Sequence, residues 1–195
     1  MRLLTVLIVN AAILSMAALC VAQVPKEQPE QIKTRVQYAS ELNNPFFFSH
    51  EGSAGDANLG EDPKKIVTHT ANCITEHQMR HVIRFCDAQL LSDGTLELYI
   101  HDFTAATNDN LKIKIKDGYF TSQYWTTYIV DKGNENVIWT TKKQALILNK
   151  KNYKKGDTIK GKIKFECLQE VTNAKSGERY PQSISIEGYF KPTLK

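Results

Sequence analysis

Residues 95–102 read TLELYIHD and residues 111–118 read LKIKIKDG. In the first, Leu96, Leu98 and Ile100 fall on one side of an extended chain, with Glu97, Tyr99 and His101 on the other. In the second, Leu111, Ile113 and Ile115 alternate with Lys112, Lys114 and Lys116. Successive side chains of a strand point to opposite faces, so both stretches are half-buried strands. Residues 158–168, TIKGKIKFECL, repeat the pattern, with Ile159, Ile163, Phe165 and Cys167 facing one way. SISIEGYF at 183–190 groups Ile184, Ile186 and Phe190. No comparable helical stripe follows residue 90.

Turn sequences punctuate these strands at short spacing: SDG at 92–94, NDN at 108–110, DG at 117–118, DKGNEN at 131–136 and KKGD at 154–157. Short strands joined by such turns, with no intervening helix, predict an all-β fold. The expected architecture is an antiparallel β-sandwich, Ig-like or jelly-roll-like, of about eight or nine strands over residues 65–195.

The first 22 residues carry Arg2, then an apolar run, then small residues at Cys20 and Ala22. That order predicts a signal peptide cleaved after Ala22, hence a secreted or periplasmic protein with no membrane span in its mature form. An uncleaved anchor is the competing expectation, because the apolar run nearly reaches bilayer length. Residues 23–64 are expected to form a flexible polar tether and loop. Gln, Glu, Lys and Pro dominate its first part, which has too few large apolar side chains to offset the entropy of ordering it. Its exception is NNPFFFSH at 43–50, expected to dock its phenylalanines on the domain.

The stretch NCITEHQMRHVIRFC, 72–86, concentrates the chemistry-bearing residues. On a helix, Cys73, His77 and His81 would share one face and reach a single zinc ion. The segment HQMRH has the spacing of a metalloprotease helix but carries Gln78 where a general base belongs, and a neutral amide takes no proton from metal-bound water. Residues 80–91, RHVIRFCDAQLL, look more like the first strand of a hairpin with TLELYIHD than like a helix, which breaks the helical alignment. In an oxidising compartment the nearest cysteines, Cys73 and Cys86, are then expected to form a disulfide worth about 3 kcal/mol. Cys167, on the apolar side of its strand, reads as a small buried hydrophobe.

Two surfaces are candidates for binding. In GYFTSQYWTTYIV, 118–130, alternation puts Phe120, Tyr124 and Tyr128 toward a core and Tyr119, Thr121, Gln123, Trp125 and Thr127 outward. A hairpin pairing Val130 with Asn136 would add Trp139 to that outer face, giving two indoles able to stack on sugar rings. The other surface is basic: residues 142–164 hold nine lysines against Asp157 alone, with Lys150, Lys151, Lys154 and Lys155 in an expected turn. Such a patch attracts an anionic surface, glycan or envelope protein, whereas arginine, the usual reader of nucleic-acid bases, is scarce, so nucleic acid is not expected.

No stretch carries a catalytic signature and no cofactor is expected. The sequence therefore points to a non-catalytic binding module, with protein–protein interaction of an inhibitor or adaptor type first. A carbohydrate-binding module using Trp125 and Trp139 is the alternative, and a Cys/His metal-binding protein is the third possibility.

Overall fold

Leu98, Ile100, Leu111 and Ile113 are fully buried, as their alternation requires, and they form one wall of a two-sheet structure. The computed structural model describes residues 31–42, 47, 49–51, 66–76, 80–103, 107–128, 135–173 and 175–195. The leader, residues 23–30 of the tether, Phe46 and Phe48 of the expected docking segment, most of the loop before Ile66, and His77 lie outside them. In chain order the strands are β1 (Thr34–Arg35), β2 (Gln37–Tyr38), β3 (Ser49–Glu51), β4 (Ile66–Thr68), β5 (Ala71–Glu76), β6 (Arg80–Ile83) and β7 (Phe85–Leu90). They continue with β8 (Leu96–Phe103), β9 (Thr107–Lys116), β10 (Tyr119–Tyr128), β11 (Glu135–Leu148), β12 (Gly161–Asn173) and β13 (Arg179–Phe190).

One sheet has five strands in the order β1-β10-β9-β8-β7, the other six in the order β2-β11-β12-β13-β5-β6, and β3 with β4 form a separate ribbon. The protein is thus an antiparallel β-sandwich, apart from one short parallel pairing of β2 with β11. Two meanders, β7 to β10 and β11 to β13, supply most of it. Between β9 and β10 the connection is a tight turn, with positive φ at both Asp117 and Gly118 (52° and 76°), the combination a two-residue hairpin loop uses. From the six-stranded sheet, Cys73, Leu146, Ile163, Phe165, Ile184 and Phe190 meet the wall contributed by β8, β9 and β10. Burying each large apolar side chain in such a core contributes about 1.5–3 kcal/mol.

The two sheets are also tied by polar contacts. Between β6 and β7 only Arg84 intervenes, and there the chain leaves the six-stranded sheet for the other. Its backbone N–H, Nε and Nη2 donate to the buried carboxylate of Asp102 on β8 at 2.9, 2.8 and 2.7 Å. His81 on β6 lies 2.6 Å from Asp109 on β9, whose other carboxylate oxygen accepts the Tyr124 hydroxyl.

Three local expectations and one alternative are corrected. Residues 34–38, placed by composition in the tether, belong to the sandwich: β1 pairs with β10, β2 with β11, and Val36 between them is buried. Residues 108–110 are not a turn but part of β9, because Asp109 and Asn110 find polar partners inside the strand pairing. The helix that the zinc alternative required at residues 72–76 is not there, since β5 is a strand that pairs on one side with β13 and on the other with β6. The expected hairpin carrying both tryptophans does not form, because β10 takes β9 as its partner and β11 takes β12.

Candidate functional site

The outer face of the five-stranded sheet is a grid of side chains set by register. One row runs Phe85, His101, Asn110, Trp125 across β7, β8, β9 and β10, and the next runs Asp87, Tyr99, Lys112, Gln123. Beside the second row stand Gln89 and Glu97, directly opposite each other. These are the residues that alternation turns away from the core, so the pattern that buries Leu98 and Ile100 also presents Tyr99 and His101.

The rings form a ladder over this face. Phe85 and His101 have centroids 5.8 Å apart, His101 and Tyr99 stack at 4.6 Å with an interplanar angle of 18°, and Tyr99 and Trp125 follow at 6.0 Å and 19°. Beneath them lies Asn110, only 1% exposed. Its side-chain oxygen accepts the Tyr99 hydroxyl, and its Nδ2 donates to the carbonyl of Asn108 at 3.0 Å. A polar residue covered in this way is satisfied by fixed partners, which holds the Tyr99 ring in place.

Next to Tyr99 and Trp125 is a recess of about 350 Å³, walled by those rings and by Asp87, Gln89, Glu97, Lys112 and Lys195. Gln89 Nε2 donates to Glu97 at 2.8 Å, and Lys112 approaches the same carboxylate at 3.8 Å. Asp87 lies 3.2 Å from His101 and 2.6 Å from Lys195. Burial pushes the Asp87 carboxyl up, but the hydrogen bonds from Lys195 and His101 outweigh it and hold the group below its ordinary range. Burial, followed by the charge of Asp87, raises the Tyr99 hydroxyl above its ordinary range. Two carboxylates face two ammonium groups, so the recess has no net formal charge while offering several donors and acceptors beside aromatic surface. That combination suits an uncharged polar ligand.

Of the sequence candidates, only Trp125 lies here. Tyr119 shares the outer face but stands six residues away along β10, about 20 Å at the rise of a strand, with Lys33 over its ring. Trp139 belongs to the other sheet and packs edge-on against the core ring of Tyr124, centroids 5.1 Å apart, so the two indoles do not form one platform. Lys150, Lys151, Lys154 and Lys155 are exposed on the loop after β11.

The expected disulfide is not formed, since Cys73 and Cys86 are both free thiols. The segment between them is a hairpin and a sheet crossing, which places Cys73 on the inner face of the six-stranded sheet and Cys86 on the inner face of the five-stranded one. Burial pushes the Cys73 thiol up to about 12 and that of Cys86 well above its ordinary range. The candidate zinc set is not assembled either. Cys73 points into the core, His81 is engaged by Asp109, His77 lies outside the described residues, and among those residues no cluster is arranged to hold a metal.

Tyr99, His101, Gln89, Glu97 and Lys112 escaped notice as a site. Their signal was present in TLELYIHD, whose outward face is aromatic and polar in place of plainly charged, but which strands lie beside it is not written locally. The fold and this face define the class: an antiparallel β-sandwich with a sheet-face recess bordered by stacked rings. No protein-family model, curated protein or solved structure matches the chain.

Proposed function

We propose that this β-sandwich is a non-catalytic binding module, acting outside the cytoplasm, that takes an uncharged glycan on the outer face of its five-stranded sheet. The observation that carries it is the Tyr99 and Trp125 pair standing over the recess beside Gln89, Glu97 and Lys112. A sugar presents apolar C–H faces and a rim of hydroxyls, which matches aromatic surface flanked by donors and acceptors. The balanced charge of the recess favours a neutral sugar over an anionic one. The glycan reading is also favoured over the protein-interaction role expected first, because the exposed large hydrophobic residues among the described residues are spread over many elements: Ile32 before β1, Ile66 on β4, Val82 on β6, Leu90 on β7, Tyr119 on β10, Ile138 on β11 and Tyr180 on β13. Protein interfaces concentrate such residues at their centre.

Affinity electrophoresis through gels containing a panel of neutral polysaccharides tests the proposal. At least one is expected to retard the protein, and Trp125→Ala and Tyr99→Ala each to weaken that retardation at least about tenfold, as loss of a central aromatic anchor does. Trp139→Phe is expected to leave it unchanged. Migration indifferent to every polysaccharide, or binding that survives both aromatic substitutions, would overturn the assignment.

A further inference from the structure

We propose that the loop joining β11 to β12, residues 149–160, seats the domain on an anionic lipid bilayer. The loop is built to hold one shape. Asn149 Oδ1 accepts the Tyr153 hydroxyl at 2.8 Å and the Lys160 N–H at 2.9 Å. Asp157 Oδ2 accepts the Lys154 N–H at 2.9 Å, and Gly156, in the left-handed region at φ 87°, makes the turn. The C-terminal segment clamps it from below, with Gly156 N–H donating to Leu194 and Ile159 N–H to Pro192, both at 2.9 Å. An ordered loop spends less conformational entropy when it docks.

Its charge is not balanced from within. Asp157, the one carboxylate between Lys142 and Lys164 outside β12, is taken by Lys150 at 2.7 Å, and the hydrogen bond from Lys150 holds the Asp157 carboxyl below its ordinary range. On the adjoining sheet face the lysines are paired, Lys143 with Glu166 and both Lys162 and Lys164 with Glu187. Lys151, Lys154, Lys155 and Lys160 are exposed, and among the described residues none of their ammonium groups makes an ion pair, the charge of Lys154 acting on Asp157 only from farther off. The surplus is thus concentrated on the loop.

The layout fits an extended surface better than a small anion. Lys151 lies over Tyr38 on one flank, Lys150 over Tyr153 in the middle, and Lys160 leads into β12 on the other flank. The cations are therefore distributed across the ends of the neighbouring strands β2, β11 and β12. Tyr38 and Tyr153, under two of these cations, are half-buried and packed against the core, so what the loop presents outward is mainly ammonium groups. Lysine, a hydrated point charge without a planar fork, suits a field of anionic headgroups more than bidentate recognition of one phosphate. The inference is independent of the glycan reading, because it uses none of the residues of the recess.

The test is sedimentation of the purified full-length chain with vesicles of phosphatidylglycerol mixed into phosphatidylcholine, compared with phosphatidylcholine alone. Preferential partitioning onto the anionic vesicles is expected, with loss of that preference in half-molar salt. Each lysine near an anionic bilayer is worth about fivefold in partitioning, so Lys151→Gln, Lys154→Gln and Lys155→Gln combined are expected to lower it about 100-fold. Trp125→Ala is expected to have no effect. Because the three lysines are exposed, the triple variant should melt as the parent does. Equal partitioning onto neutral and anionic vesicles, a triple variant that partitions like the parent, or retention by a soluble polyanion without any preference for anionic vesicles would each overturn the assignment.

Discussion

Removing the Asp102 carboxylate should be among the more damaging single changes in the molecule. In Asp102→Ala the Arg84 backbone N–H and guanidinium lose an acceptor that takes three hydrogen bonds at 2.7–2.9 Å. An orphaned buried N–H costs about 1–3 kcal/mol, and breaking a buried ion pair by deleting one partner costs about 3–5 kcal/mol. Asp102 is 2% exposed, but the Arg84 side chain is 25% exposed and can recover water, which discounts the upper figure. We expect a loss of about 3 kcal/mol, or a urea midpoint lower by about 1.5 M at a slope of about 2 kcal/mol/M. Arg84→Met combined with Asp102→Leu removes both charges while keeping an aliphatic stem against Phe85. The double variant should therefore lose at least about 1 kcal/mol less than the sum of the two single changes. Urea unfolding of the parent, Arg84→Met, Asp102→Leu and the double variant measures the cycle, with Asp102→Ala measured alongside. Additive losses, or an Asp102→Ala variant within about 1 kcal/mol of the parent, would refute the view that Arg84 and Asp102 act as one inter-sheet tie.

Three further outcomes are expected. Cys73, Cys86 and Cys167, all buried, with Cys73 and Cys167 pushed up to about 12 by burial, should resist alkylation at pH 8 in the native protein and label fully in denaturant; peptide mapping that finds any of them joined in a disulfide would contradict the structure. Gly188→Ala should be strongly destabilising, because an added Cβ would collide with the backbone of Asn72 and Cys73 on β5, and a melting temperature within a degree or two of the parent would show that β13 can shift to make room. Asp93 is depressed from 3.8 to about 2, first by the hydrogen bond from Lys116, so its contribution is present above pH 3.8 and fades as the pH falls toward 2. Asp93→Asn should accordingly flatten the stability profile in that window, as followed by thermal melts at stepped pH.

Strand existence was legible wherever one face of the strand is apolar. Leu96, Leu98 and Ile100, or Ile163, Phe165 and Cys167, could face a core only as alternating strands, and they do. Which strand neighbours which was not legible, because each pairing is chosen among distant competitors. The connection between β10 and β11 has turn chemistry fit for a hairpin, yet each flanking strand is claimed by another partner, and Trp139 moves to the opposite sheet. Arg84 likewise looks like an interruption in one strand, whereas it marks the step between sheets, and only the buried position of Asp102 on β8 makes that step explicable. The recess was hidden for the same reason. Gln89, Tyr99, Lys112 and Trp125 come from four strands whose order no local pattern encodes, although alternation alone turned Tyr99, Lys112 and Trp125 outward.

The binding face is tested most directly by the fluorescence of Trp125. In a Trp139→Phe variant it is the sole tryptophan, and it stands beside Tyr99 at the recess. Titration with a polysaccharide that retards the protein in gels should shift or quench its emission along a saturating curve, with a midpoint matching the gel measurement. Retardation by a polysaccharide without any change in Trp125 emission would place the bound sugar elsewhere and contradict the account.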